Sequence, residues 1–196
     1  CTSEEWLSHP GTVGKPLPGA TVRVYGEDGT VLPTGQIGEL YMRADYFPEF
    51  TYHGREKERA EIERDGLVTV GDVGYFDSDG YLYLCDRKKD MVISGGVNIY
   101  PAEIEAVLVT MPGVRDCAVF GVPDAEMGEN VAAVVEPQGG AELSADQVRR
   151  WLRERIAHYK VPKLIEFQTG LPREDSGKIF KRKIRERYWE NEGRRI

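Results

Sequence analysis

The stretch PREDSGKIFKRKI, residues 172–184, sets a lysine, Lys178, directly behind a Ser-Gly pair. A lysine on so flexible an approach is a mobile point charge, with reach in place of arginine's fixed fork, suited to neutralising negative charge that builds up elsewhere. In TVGDVG, residues 69–74, Asp72 stands between glycines at the end of a strand-like run. A carboxylate there can accept two hydrogen bonds from the vicinal hydroxyls of a ribose; an ordinary turn aspartate has the same local signature. Arg87 follows another strand-like run and reads equally as a surface charge or as a contact to a nucleotide. VISGGVNIYPAEIE, residues 92–105, places Gly95 and Gly96 ahead of a proline-initiated helix. Lacking side chains, the pair lets a ligand or another backbone come close, and a lone Gly-Gly also makes a plain tight turn.

Elements of two kinds must position these residues. From Thr12 to about Arg87, short apolar runs are cut by Gly, Pro and Asp-Gly. Alternation over Thr21–Tyr25 and turn signals at Asp28-Gly29 and Asp79-Gly80 predict antiparallel hairpins. Between them, His53–Arg64 predicts a short charged helix, whereas the opening CTSEEWLSHPG reads as a loop. Past DRKKDMVISGG the period changes. Pro101 fits the first turn of a helix whose Ile104, Val107 and Leu108 share a face until Pro112-Gly113. VRDCAVFGVP and ENVAAVVEP predict strands, and Ser144 with Gln147 predicts a capping box ahead of the stripe Val148, Trp151, Leu152, Ile156. A strand at KLIEFQ and a basic helix from about Ile179 to Trp189 follow. The seam falls at Arg87–Asp90, whose charges have no place in a core. The expected class is mixed α+β: an antiparallel, β-barrel-like subdomain followed by a small α/β domain.

A length of 196 residues with 40% hydrophobic and 30% charged residues excludes a disordered or fibrous chain. The net charge of -7 argues against a dedicated nucleic-acid binder, which needs excess cations to displace counterions. Charge is uneven all the same: from Asp146 onward the chain holds 15 of its 26 Lys and Arg but only 8 of its 33 Asp and Glu. That asymmetry suits an anionic ligand, and a solvated basic helix would give it too. Cys1, Cys85 and Cys117 are too few and too widely spaced for a disulfide framework or a metal site; Cys85 and Cys117 are expected as inert core thiols, and a reducing cytoplasm is the simplest compartment. No apolar run reaches the ~20 residues that span a bilayer. His9, His53 and His158 have no partner at triad or metal spacing, and Trp6, Trp151 and Trp189 are expected to anchor helices.

Taken in order, GTVGKPLPGATVRV, GQIGELYMR, VGD, DRKKDMVISGGVNIYPAEIE, HYKVP and PREDSGK resemble the motifs of the adenylate-forming superfamily: acyl-CoA synthetases, peptide-synthetase adenylation domains and beetle luciferases. The likeness covers nearly the whole chain and lies nearest the fatty- and aryl-acid CoA synthetases. It implies that residues 1–88 are the β-barrel-like end of a large adenylating domain and residues 89–196 a mobile C-terminal domain. It further implies ATP, Mg2+ and coenzyme A as ligands and a carboxylic acid as substrate. Asp72 and Arg87 would hold the ribose of ATP, and Lys178 would bridge the attacking carboxylate and the α-phosphate. Lys89 matches the hinge, Gly95 and Gly96 would line the pantetheine tunnel, and Lys160 and Lys163 could meet coenzyme A phosphates. Lys178 also resembles a target of a lysine acyltransferase and deacylase.

Two departures stand out. Val70 replaces the usual Thr before Gly-Asp, and RADYFPEFTYHG breaks the family's Gly-x-x-x-x-Gly-Tyr pattern. The family's phosphate loop, Thr-Glu magnesium motif and acyl pocket precede the segment seen here. The chain is therefore expected to be the C-terminal part of a longer synthetase and inactive alone. An adenylation domain that loads a separate carrier protein, or a non-catalytic interaction module, are the rival readings; the acid and the oligomeric state are not legible.

Overall fold

In the computed structural model, which describes residues 1–190, the first unit runs from Cys1 to Lys89 and the second begins at Asp90. The chain opens not in a loop but in α1 (Ser3–Ser8), started by a capping box. The Thr2 hydroxyl accepts the Glu5 amide at 3.2 Å, and the Glu5 carboxylate accepts the Thr2 amide at 2.6 Å. No residue of α1 is buried, so no apolar stripe marks it, and Trp6 is exposed instead of serving as an anchor.

The alternating stretch forms β1 (Ala20–Tyr25), antiparallel to β2 (Gly38–Ala44). Asp28-Gly29 closes a local reversal in which Tyr25 bridges Val31. The short charged helix is α2 (Glu56–Glu61), followed by β3 (Glu63–Arg64), β4 (Leu67–Val68), β5 (Asp72–Phe76) and β6 (Leu82–Arg87). With β1 along one edge of β2, β4 and β5 share the other, and β6 follows β5. The six strands make an open sheet with no closed barrel. Val24, Leu40 and Leu82 pack on one face; Tyr25, Tyr41 and Leu67 pack on the other. Burying a side chain such as Leu40 stabilises by about 2 kcal/mol.

Gly38 and Gly74 are partners across β2 and β5. A Cβ on Gly38 would stand 2.3 Å from the Tyr25 carbonyl oxygen, and one on Gly74 2.3 Å from that of Tyr83. Both clashes are with backbone, which cannot swing aside.

The second unit opens with the hairpin β7 (Val92–Ser94) and β8 (Val97–Ile99), then α3 (Pro101–Leu108). β9 (Val114–Asp124) and β10 (Gly128–Pro137) form its long antiparallel pair; α4 (Ala145–Arg153), β11 (Leu164–Phe167) and α5 (Lys181–Trp189) complete it. β11 runs parallel to β10. The β9–β10 pair is apolar on both faces, since helices cover both. Cys117, Val119, Val131, Ala133 and Val135 pack with Ile104, Leu108, Val148 and Leu152. The alternate residues Ala118, Phe120, Ala132 and Val134 pack with Leu171 and Ile184. Ser144 and Gln147 form the capping box of α4. Trp151 donates its indole N–H to the Val107 carbonyl at 3.2 Å and Trp189 to that of Gly121 at 3.0 Å, so these two tryptophans do anchor helices.

Gly38→Ala should lower stability by about 3 kcal/mol in urea titrations, because the new methyl must displace the Tyr25 carbonyl. Gly139→Ala, where a Cβ meets nothing within 4 Å, should change it by less than about 0.5 kcal/mol. Burial pushes the Cys117 thiol up from 9.0 to about 12. At pH 8 a thiol reagent should therefore label the exposed Cys1 and spare Cys117 until the chain unfolds. The unfolded chain ionises this thiol first, so the stability it carries is complete below pH 9 and falls as pH rises toward 12.

Candidate functional site

The register of the first sheet makes Asp72, the first residue of β5, the partner of Arg87, the last of β6. Arg87 Nε lies 3.6 Å from Asp72 Oδ1, with the arginine side chain 54% exposed. A pair this open contributes at most about 1 kcal/mol, so both charges can turn to a ligand. Beside them Val70 is exposed. It lines a shallow cavity of about 360 Å³ with Gly71, Arg87, Lys88 and Lys89. A second cavity of about 470 Å³ shares Val70 and Gly71 and extends over Glu39, Tyr52, Arg55 and Thr69.

The turn entering Asp72 is tied on several sides. The Gly71 amide donates to Thr69 Oγ1 at 2.9 Å, and the Lys88 amide donates to the Gly71 carbonyl at 2.8 Å. Thr69 Oγ1 donates to Glu39 Oε1 at 3.1 Å, and Lys88 Nζ donates to Glu39 Oε2 at 2.8 Å. Glu39 was not among the residues singled out from sequence. An acid in an alternating strand looks solvent-facing, and only the sheet brings it to this turn.

The lysine loop stands at the other end of the chain, on the second unit. The Glu174 amide donates to the Lys178 carbonyl and the Gly177 amide to that of Glu174, both at 2.8 Å, so PREDSGK folds into a tight reversal. Two acids fix its base. Asp116 on β9 holds Arg173 at 2.5 Å, and the buried Glu136 on β10 accepts the Leu171 amide at 3.3 Å. The Lys178 side chain is exposed, and among the described residues no acid pairs with it.

Gly95 and Gly96 form the two-residue turn of the β7–β8 hairpin, with φ of +56° and +79°. Positive φ at both positions is what such a turn demands. The Gly95 amide donates to the Met127 carbonyl at 2.9 Å, and a Cβ there would meet Met127 Sδ at 2.9 Å, whereas one on Gly96 would meet nothing within 4 Å. Lys160 Nζ donates to both oxygens of Glu103, at 2.7 and 2.6 Å; Lys163 is exposed. Lys89 is the exposed last residue of the first unit.

His9, which has no partner by spacing, meets Asp79 at 3.3 Å and stacks on Tyr81 at 3.9 Å. With Asp77 these two make the one group of three metal-ligating side chains among the described residues. Asp77 is already occupied, accepting the Asp79 and Tyr81 amides at 3.0 and 2.8 Å.

These features belong to one class of protein. A family model for the AMP-binding enzyme C-terminal domain matches residues 103–178, from the first turn of α3 to Lys178 itself. Residues 103–178 thus belong to the AMP-binding enzyme C-terminal domain family. It is 46% identical over 178 residues to a feruloyl-CoA synthase of an Amycolatopsis species, covering 91% of this chain and 36% of that one. It is 40% identical over 186 residues to the long-chain-fatty-acid–CoA ligase FadD13 of Mycobacterium tuberculosis, covering 95% of this chain and 36% of that one. The ATP-bound structure of MatB from Rhodopseudomonas palustris superposes with a TM-score of 0.84 at 39% identity, over 94% of this chain and 37% of that one. The chain thus spans 36% of the length of these two curated relatives. No helix among the described residues is long and apolar enough to cross a membrane.

Arg173→Ala should speed amide exchange across residues 173–178 by about tenfold, as loss of one charged hydrogen bond at a loop base would. Exchange in β9 and β10 should stay unchanged; equal acceleration there would mean that Arg173 supports the whole unit.

Proposed function

We propose that this chain is the C-terminal part of an AMP-forming acid–CoA ligase acting on a fatty or aryl acid. The observation that carries the reading is the contrast between two charge arrangements: Asp72 and Arg87 juxtaposed across neighbouring strands, and Lys178, exposed and without an acid partner among the described residues, closing an anchored loop. In the first step, an oxygen of the acid attacks the α-phosphorus of ATP. The bond from that phosphorus to the oxygen bridging the β-phosphorus breaks, giving acyl-adenylate and pyrophosphate. Asp72 accepts hydrogen bonds from the ribose hydroxyls, with Arg87 beside it. Lys178 sits between the acid and the α-phosphate, where two anions are pressed together and one ammonium offsets their repulsion. In the second step the sulfur of coenzyme A attacks the acyl carbon, AMP leaves with the electron pair, and the thiol proton passes to solvent.

Lys89 is the hinge that lets the two steps use different surfaces, its backbone absorbing the change in φ and ψ. Gly95 and Gly96 make room for the thin pantetheine chain, the open side of Gly96 being the better suited. Lys163 is the stronger candidate for a coenzyme A phosphate, because Lys160 would first have to leave Glu103. Mg2+ falls to the part of the ligase outside this segment: the described residues around Asp72 do not supply three metal-ligating side chains. Activity needs that other part as well. A cytoplasmic setting, and removal of the Lys178 charge by reversible acylation, are consistent with this reading.

In the complete ligase, Lys178→Ala should cut ATP–pyrophosphate exchange by about 10²–10³-fold, the scale set by losing one transition-state charge contact. Thioester formation from supplied acyl-adenylate should change far less. Equal losses in the two assays would remove Lys178 from the first step.

A further inference from the structure

Glu39 is the register partner of Val73, next to Asp72, and its side chain is only 15% exposed. Its two oxygens have different partners, the Thr69 hydroxyl and the Lys88 ammonium. Those same two residues grip both polar groups of Gly71: Thr69 Oγ1 takes its N–H, and the Lys88 amide serves its carbonyl. Gly71 has a φ of +82°, and a Cβ there would meet nothing within 4 Å. Packing therefore does not hold this glycine, whose backbone is the freest to vary; hydrogen bonds do. Lys88 is 58% exposed, too open for the ion pair to matter much to stability. The value of the network is geometric.

We propose that Glu39 is a positioning residue: by holding Thr69 and Lys88 together it fixes the backbone of Gly71, and so the direction in which Asp72 presents its carboxylate to the ribose of the nucleotide. The inference rests on the nucleotide-binding role given to Asp72 above. Glu39 itself touches no substrate.

The test is steady-state ATP–pyrophosphate exchange by the complete ligase with Glu39→Ala, Glu39→Gln, Lys88→Met and Asp72→Ala, with a melting curve for each. Ribose contacts act alike in the ground and transition states, so their loss raises KM and spares kcat. A loss of folded enzyme does the opposite, lowering apparent kcat at constant KM. Glu39→Ala should raise KM for ATP about tenfold with kcat within about twofold, well short of the ~10²-fold that a misplacement of 1 Å can cause. Glu39→Gln keeps an acceptor for Thr69 and should fall between Glu39→Ala and the parent, as should Lys88→Met, which serves if Glu39→Ala does not fold. Unchanged KM in the Glu39 and Lys88 variants, alongside a raised KM in Asp72→Ala, would overturn the role of Glu39 alone. Unchanged KM in Asp72→Ala would overturn the ribose site, and the inference with it.

Discussion

Neighbouring strands of the first sheet run so close at Gly38 and Gly74 that a Cβ at either would lie 2.3 Å from a backbone oxygen. The site depends on that approach. At Gly74 the pairing of β5 with β6 slips by one residue, a bulge between Val73 and Gly74 that puts Asp72 opposite Arg87. The extra residue is Cys85 on β6; without it the register would set Asp72 opposite Asp86 and part it from its arginine. The same crossing brings Glu39 alongside Val73. A backbone packing constraint, invisible as chemistry, thus sets the geometry of the charged residues.

Local signals in the sequence proved readable, and sequence-distant ones did not. Ser144 and Gln147 announce α4 within four residues, and the structure has that capping box. The identical device at Thr2 and Glu5 passed as a loop because the helix it starts buries nothing. The apolar stripes of α3 and α4 gave the core of the second unit, since burial and 3.6-residue spacing are one constraint there. Pairings across the chain were out of reach: His9 with Asp79, Lys160 with Glu103, Glu39 with Lys88. Each joins residues at least 49 positions apart, so only the finished topology brings them together. Asp72 and Arg87 were legible as candidates through family motifs, not through anything local that distinguishes a ribose ligand from a turn aspartate.

Charge shows the same division. The C-terminal quarter is basic by composition, which suggests a broad positive surface. Its cations are largely spent on structure: Lys160 on Glu103, Arg173 on Asp116, Lys181 on Glu105 and Arg187 on Glu166. Arg173 fastens its loop to β9, Lys160 and Lys181 reach the acids of α3, and Arg187 ties α5 to β11, so the excess of Lys and Arg from Asp146 onward describes fastening more than ligand binding. Among the described residues Lys178 shares its lack of an acid partner with Arg150, Arg153, Lys163 and Lys183, and what sets it apart is its place on a loop fixed at the base. Its loop is held at the base by Arg173 and by Glu136, and the Glu174 amide ties the Lys178 backbone at the close of the reversal, which leaves the exposed ammonium at a defined place.

The junction between the two units follows from similar fastening. On one side, Lys88 is tied to Glu39 by its side chain and to Gly71 by its amide, both within the first unit. On the other, Asp90 lies 3.8 Å from Arg185 of α5, within the second. Lys89 sits between these two anchors. A change of φ and ψ spread over several residues would have to break one or both, whereas a change confined to Lys89 leaves each anchored to its own unit. The hinge role proposed for Lys89 thus acquires a physical basis beyond its position: it is the residue whose rotation disturbs neither the turn that presents Asp72 nor the helix that closes the second unit. Glu39 and Arg185, far from each other in sequence, thus do matching work, each fastening one side of the junction to its own unit.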